Sequence, residues 1–367
     1  MKLNYIDVLR GIAILGVLMV HCGQYGNNAF LPVTIVSIIG NGANGVQLFY
    51  IASAFTLFLS MNRRNEQEKY PKFNFFIRRF FRIAPLYYVG IFYYLWQDGF
   101  GSRYWLGDQE LVTTSNILSN IFFVHGFNPY WMNSVVPGGW SIAVEMLFYC
   151  IAPLLFVKIK NVRVAYLFVL VTLVLRLVLD ILLHKIHIIE SDRLWNEYLF
   201  FYFPSQMPIF ALGIFFYYIV KEGYNIKIAP SSLLLTSFLL ILHIIGFSLL
   251  PSYFIFGIVF VLFGIAISKI NYKILENPVL LYIGKVSYSM YLVHFGVLYW
   301  LTKFDVVDFI VVNNSISAII NYCLRFVVLI SLSILFSTIS YQLIELPGQR
   351  IGQRIIHKLR KNESSII

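Results

Sequence analysis

An arginine and a histidine stand eleven positions apart in the first apolar stretch, which runs Tyr5-Ile6-Asp7-Val8-Leu9-Arg10-Gly11 and on to His21. On a helix rising about 1.5 Å per residue they are roughly 16 Å apart, and eleven residues make about three turns, so both leave one face. Imidazole can take a proton from a hydroxyl near neutral pH, and guanidinium can hold an anion. A lone histidine on an apolar face is also commonly a satisfied core residue, and spacing alone leaves both readings of His21 open. Farther on, Phe76-Ile77-Arg78-Arg79-Phe80-Phe81-Arg82-Ile83-Ala84-Pro85 puts Arg79 and Arg82 on a shared helix face. Arg78 reads as an ordinary basic flank. Arg82 reaches into the apolar segment, at about the depth of Arg10. Converging guanidiniums suit a polyphosphate, because each planar fork makes paired hydrogen bonds to anionic oxygens.

Glu145 follows Pro137-Gly138-Gly139-Trp140-Ser141 by about one turn, near the depth assigned to His21. A carboxylate beside an imidazole raises its basicity and fixes its tautomer, as a general base requires. Equal depth does not establish contact, and a glutamate bonded to backbone or to Ser141 fits the same spacing. In Gly284-Lys285-Val286-Ser287-Tyr288-Ser289-Met290-Tyr291-Leu292-Val293-His294, the residues Ser287, Tyr291 and His294 fall on one face. They are candidates for substrate contact or for plain interhelical hydrogen bonds. The three cysteines, Cys22, Cys150 and Cys323, have neither disulfide-framework nor metal-site spacing, and no metal is expected.

Membrane-spanning helices must position these groups. Of 367 residues, 59% are hydrophobic and 12% charged, against roughly 25% charged in soluble domains. A soluble globular enzyme is excluded, and so is disorder, because 34 Phe and 25 Tyr supply too much apolar surface. Net charge is +11. The basic residues cluster between apolar runs, which points to cytoplasmic loops and not to nucleic acid. Ten segments approach the length of about 20 apolar residues that a spanning helix needs. They lie near 5–25, 34–60, 78–97, 140–157, 163–183, 197–220, 230–250, 252–269, 279–302 and 314–343. The fold class is therefore all-α: a polytopic membrane protein of about ten transmembrane helices, in a single membrane domain over 1–347.

With both termini in the cytoplasm, the inner loops and tail hold 21 Lys and Arg, and the outer loops four (Arg103, Lys185, Arg193 and Lys303). That bias sets the orientation. All six tryptophans fall at or beyond the outer ends of spans, where interfacial anchoring and sugar stacking both suit them. The tail, 348–367, alternates Ile351, Ile355 and Leu359 with Arg350, Arg354 and Lys358, and reads as a basic amphipathic helix on the cytoplasmic leaflet.

Taken in order, these stretches are similar to those of the membrane-bound acyltransferase-3 family, whose bacterial members O-acylate cell-surface polysaccharides and other glycans. The resemblance rests on Tyr5–Ala13 with His21, Gly45-Val46-Gln47-Leu48-Phe49 leading to Ser53, and Arg79/Arg82 with Pro85-Leu86-Tyr87. It continues through Trp140-Ser141 with Glu145, Ser287-Tyr288 to His294, and the closing Glu345-Leu346-Pro347. Val8, Gln47 and Ala54 depart from the family pattern, which leaves a binding role for the second span open. The chain stops soon after the tenth span, so members with a fused extracytoplasmic esterase-like domain are not expected to serve as models.

The resemblance implies an acyl-CoA donor, typically acetyl-CoA, entering from the cytoplasm, and a sugar hydroxyl of a cell-surface or lipid-linked polysaccharide as acceptor. It also implies that Arg10 and His21, the Arg79/Arg82 pair and Glu145 are functional positions. The combined expectation is an O-acetyltransferase of the bacterial inner membrane. Arg10, Arg79 and Arg82 would hold the phosphates of coenzyme A. His21, oriented by Glu145, would act as base or transient acyl carrier. A transporter or flippase of a lipid-linked glycan is the competing class, but it calls for inverted repeats and broken midplane helices, which the sequence does not display.

Overall fold

The computed structural model describes residues 3–65, 67–107, 111–186, 188–223, 250–269 and 275–364. Among them there are helices and no strands. In chain order the helices are α1 (Asn4–Cys22), α2 (Val33–Asn41), α3 (Gly45–Arg64), α4 (Pro71–Asp98), α5 (Thr114–Ile121), α6 (Gly139–Lys158) and α7 (Val162–Leu183). They continue as α8 (Asp192–Phe201), α9 (Phe203–Lys221), α10 (Ser252–Lys269), α11 (Pro278–Lys285), α12 (Ser287–Lys303), α13 (Ser315–Ser340) and α14 (Leu346–Ser364).

Seven helical stretches among the described residues are long and apolar enough to cross a membrane. They are Asn4–Cys22, Val33–Arg64, Gly139–Lys158, Val162–Leu183, Asp192–Lys221, Ser252–Lys269 and Ser315–Arg360. On α7 the apolar residues Leu167, Val171, Val174, Leu175, Val178 and Ile181 are exposed, as a lipid-facing stripe would be. The protein is thus a multi-pass helical membrane protein.

Three expected spans stand apart from these seven. The 78–97 segment lies within α4, a helix of 28 residues, but Arg82 and the tyrosines at 87, 88, 93 and 94 dilute its hydropathy. The 230–250 segment lies outside the described residues, apart from Leu250. The 279–302 segment is two helices, not one: Val286, at φ −96° and ψ 9°, ends α11 and precedes α12. The segment 98–139, between the expected spans at 78–97 and 140–157, carries the helix α5 and two 3₁₀ turns, Tyr104–Leu106 and His125–Phe127.

The chain divides into two compact units. The first comprises Met1–Phe49, Ile77–Tyr94 and Tyr272–Ile367. Helix α1 packs against α11, α12 and α13, and glycines allow the closest approach. A Cβ on Gly284 of α11 would sit 1.9 Å from the Asp7 carbonyl oxygen of α1, and one on Gly11 would sit 2.7 Å from the Leu280 carbonyl oxygen. Small residues at a crossing let two membrane helices meet backbone to backbone. Tyr322 of α13 donates to the Met19 carbonyl over 2.9 Å, and Tyr94 of α4 donates to the Leu292 carbonyl of α12 over 2.6 Å. Between α13 and α14 the chain widens into one π-helical turn, Tyr341–Glu345.

The second unit comprises Tyr50–Phe76 and Leu95–Asn271. Helix α9 is buried along most of its length and packs against α6, α7, α8 and α10. Gly213 at its centre lies against α3, where a Cβ would come within 2.6 Å of the Ile51 carbonyl oxygen. Tyr218 of α9 donates to the Ile159 carbonyl over 2.5 Å.

Candidate active site

Helix α1 carries Arg10 near one end and His21 at the other, on the one continuous helix that their spacing requires. Arg10 is half-buried and lies 3.6 Å from the Asp7 carboxylate, one turn earlier. Arg82 of α4 and Arg10 both act electrostatically on the carboxylate of Glu345, with Arg82 the stronger. Glu345 is 1% exposed. Its two oxygens accept from Ser289 Oγ of α12 at 2.8 Å and from Gln349 Nε2 of α14 at 3.0 Å. The π-helical turn presents it: such turns interrupt α-helices and recur at functional sites. Arg79 is half-buried on α4, one turn before Arg82. Arg10 and Arg82 thus lie within electrostatic reach of one buried carboxylate, and guanidinium forks suit phosphate oxygens.

At the His21 end, the ring Nδ1 donates to Gln24 Oε1 over 2.9 Å. The neutral ring then carries its lone pair on Nε2, the form a general base needs. The rings of His294 and Phe295 of α12 lie 5.3 Å and 4.4 Å from the His21 ring, centre to centre. His294 is fully buried. Ser287 and Tyr291, the other members of the expected stripe, are also buried on α12. Tyr291 stacks edge-on with Phe49 at 6.3 Å, whereas on α12 it is Ser289, outside the stripe, that donates to the Glu345 carboxylate.

A buried clamp holds the turn that follows α1. Arg325 of α13, fully buried, donates to the carbonyls of Val307 (2.7 Å) and Tyr25 and pairs with the Asp308 carboxylate at 2.6 Å. Asp308 also accepts from the Asn27 backbone at 3.0 Å and from Asn321 at 2.6 Å. Partial burial pushes the Asp308 carboxyl up. The hydrogen bonds from Asn27, Asn321 and Arg325, with the charge of Arg325, outweigh it and hold the group below the ordinary carboxylate value. Gly26 sits in the clamp at φ 67°, where a Cβ would fall 2.0 Å from the Arg325 guanidinium. Only glycine fits there.

In the second unit, Glu145 Oε1 accepts from Ser53 Oγ and from Tyr149 Oη, both at 2.5 Å. Ser141, a sequence-level alternative as its partner, donates instead to the Gly138 carbonyl at 2.9 Å. Arg176 of α7 pairs with Asp180, one turn later, at 3.5 Å. Sequence reasoning missed Gln24, Ser289, Asp308 and Gln349, because neutral side chains and loop carboxylates carry no periodic signal. No group of three or more His, Cys, Asp or Glu among the described residues could hold a metal.

Residues 3–342 match the acyltransferase-3 family, described as an acyltransferase domain. A protein of Staphylococcus aureus strain COL named "putative O-acetyltransferase" is 25% identical over 97% of this chain and 59% of its own length. Proteins of the same name in strains MSSA476 and Mu50 are 24% identical over the same shares. The chain thus spans about three fifths of the length of these curated relatives. No solved structure matches it. The match over nearly the whole chain places this protein in the acyltransferase-3 family of membrane acyltransferases.

Proposed function

We propose that the protein moves an acetyl group from acetyl-CoA to a sugar hydroxyl of a cell-surface or lipid-linked polysaccharide. The observation that carries this reading is the layout of α1: a basic cluster around Arg10 at one end, a base-competent imidazole at the other. Arg10, Arg79 and Arg82 would bind the phosphates of the donor on the cytoplasmic side, and Glu345 would hold Arg10 and Arg82 in place. The thin pantetheine arm can bridge the roughly 16 Å between Arg10 and His21 along the helix. Residues rich in guanidinium fit the polyanionic end of the donor, and a neutral imidazole fits its reactive end.

At that end, His21 Nε2 takes the proton of the acceptor hydroxyl as the oxygen attacks the thioester carbonyl. The carbon–sulfur bond breaks, and the departing thiolate takes the proton from His21 as the thiol of coenzyme A. Gln24 holds the tautomer that makes Nε2 the acceptor. A transient acyl-imidazole on His21 is the two-step variant of the same transfer. Glu145 is assigned an acidic role in the reaction on its place after Trp140-Ser141. Ser53 and Tyr149, which donate to that carboxylate, orient it. The basic loops favour cytoplasmic termini, and the family's glycan acceptors favour the bacterial inner membrane.

The test compares base-labile acetyl on surface glycans of cells making the wild type, His21→Ala or Arg82→Ala at equal membrane abundance. His21→Ala should abolish the ester, while purified His21→Ala still binds acetyl-CoA. Arg82→Ala should weaken acetyl-CoA binding about tenfold or more, the loss of a charge-assisted contact. Full ester content with His21→Ala would remove the imidazole from the reaction.

A further inference from the structure

His294 is fully buried, and the chemistry of its two nitrogens follows from its contacts with the backbone at Met290 and Tyr291. Its Nδ1 lies 3.1 Å from the Met290 carbonyl oxygen. A carbonyl oxygen only accepts, so Nδ1 carries the proton and Nε2 of the neutral ring presents a lone pair. That Nε2 has no hydrogen-bond partner among the described residues. A buried acceptor left without a donor is costly, so an orphan inside a packed helix face calls for an explanation. His21 has the same arrangement: Nδ1 is engaged by Gln24, and the lone pair lies on Nε2. The two rings are 5.3 Å apart. Two acceptors cannot bond each other, so the His294 lone pair needs a donor from a third party.

Resting on the proposed acyl transfer, we infer that His294 is a positioning residue for the acceptor and that the acceptor presents two neighbouring hydroxyls. One hydroxyl donates to His21 Nε2 and reacts. The other donates to His294 Nε2 and does not. Vicinal oxygens of a sugar ring stand about 2.8–3 Å apart, and hydrogen bonds of about 2.7–2.8 Å span to rings at this separation. His294 exchanges no proton in this arrangement. The acceptor O–H bond at His21 breaks, the new C–O ester bond forms, the C–S bond breaks, and the proton passes through His21 to the thiolate. The second hydroxyl, held by His294, selects which oxygen of the diol is acylated.

The experiment measures base-labile acetyl on surface glycans from cells making the wild type, His294→Phe or His294→Gln at equal membrane abundance. It also measures acetyl-CoA binding to each purified full-length protein. Phenylalanine keeps the ring volume without the lone pair; glutamine restores an acceptor oxygen near the Nε2 position. His294→Phe should lower ester content about tenfold, the worth of one hydrogen bond to the acceptor, and leave acetyl-CoA affinity within about twofold. His294→Gln should recover much of the loss. The inference is overturned if His294→Phe keeps wild-type ester content, if acetyl-CoA affinity falls in step with it, or if glutamine fares no better than phenylalanine. Absence of ester from wild-type cells would instead defeat the acyl-transfer reading on which this inference stands.

Discussion

His125 shows how a single side chain in this protein is governed by burial. It lies in the segment between α4 and α6, fully buried, with Nε2 donating to the Gly139 carbonyl at 3.1 Å. Burial pushes its pKa down to about 4, against weaker opposition from hydrogen bonds to the backbone at Gly139 and Ser119. The unfolded chain takes up this proton below about pH 6.5, whereas the folded protein resists it until about pH 4. Stability linked to His125 is therefore complete above pH 6.5 and falls as the pH drops towards 4. The loss reaches about 3 kcal/mol, at about 1.4 kcal/mol per pKa unit. Thermal unfolding in detergent from pH 7.5 to 4.5 should show His125→Gln, which keeps a donor for Gly139, losing less stability on acidification than the wild type. Parallel pH profiles would rule out a neutral buried His125.

Helix packing decides whether α1 can present its two functional ends. Gly284 lets α11 press on the α1 backbone next to Asp7, one turn from Arg10. Gly284→Ala puts a methyl group where the Asp7 carbonyl stands, and the helices must part. Such overpacking costs about 1–3 kcal/mol. Because α1 bears both Arg10 and His21, acyl transfer should fall with the melting temperature. Gly90→Ala on α4, where a Cβ meets nothing within 4 Å, is the matched control and should be neutral or slightly stabilising. Equal behaviour of the two variants in a thermal shift assay would refute the close crossing. The break at Val286 belongs to the same scale. It ends α11, whose glycine meets α1, and starts α12 with Ser289 and His294 on separate contacts.

At the scale of the molecule, the distribution of Lys and Arg predicts which loops face the cytoplasm. Single cysteines in a Cys22→Ala, Cys150→Ser, Cys323→Ser background test it. Ser102 and Gln67 are both exposed and stand on loops of opposite expected side. Ser102→Cys should react with a membrane-impermeant maleimide on intact cells, and Gln67→Cys only after permeabilisation. The reverse pattern would invert the topology and place the Arg10 cluster away from cytoplasmic acetyl-CoA.

Local periodicity and composition already carry much of what this protein is. Apolar runs gave a helical, multi-pass protein, and the eleven-residue spacing put Arg10 and His21 on one helix. Order and spacing of short motifs gave the family. The tertiary structure decided what depends on contacts between distant segments. The Arg10–Arg82–Glu345 cluster draws on α1, α4 and the π turn after α13. The facing rings of His21 and His294 draw on α1 and α12, and Arg325 finds its carboxylate in the loop before α13. A helix repeats every 3.6 residues whatever surrounds it, so its faces can be read from the chain alone. Which face meets which is fixed by glycines at crossings and by breaks such as Val286, through sterics that no single segment contains.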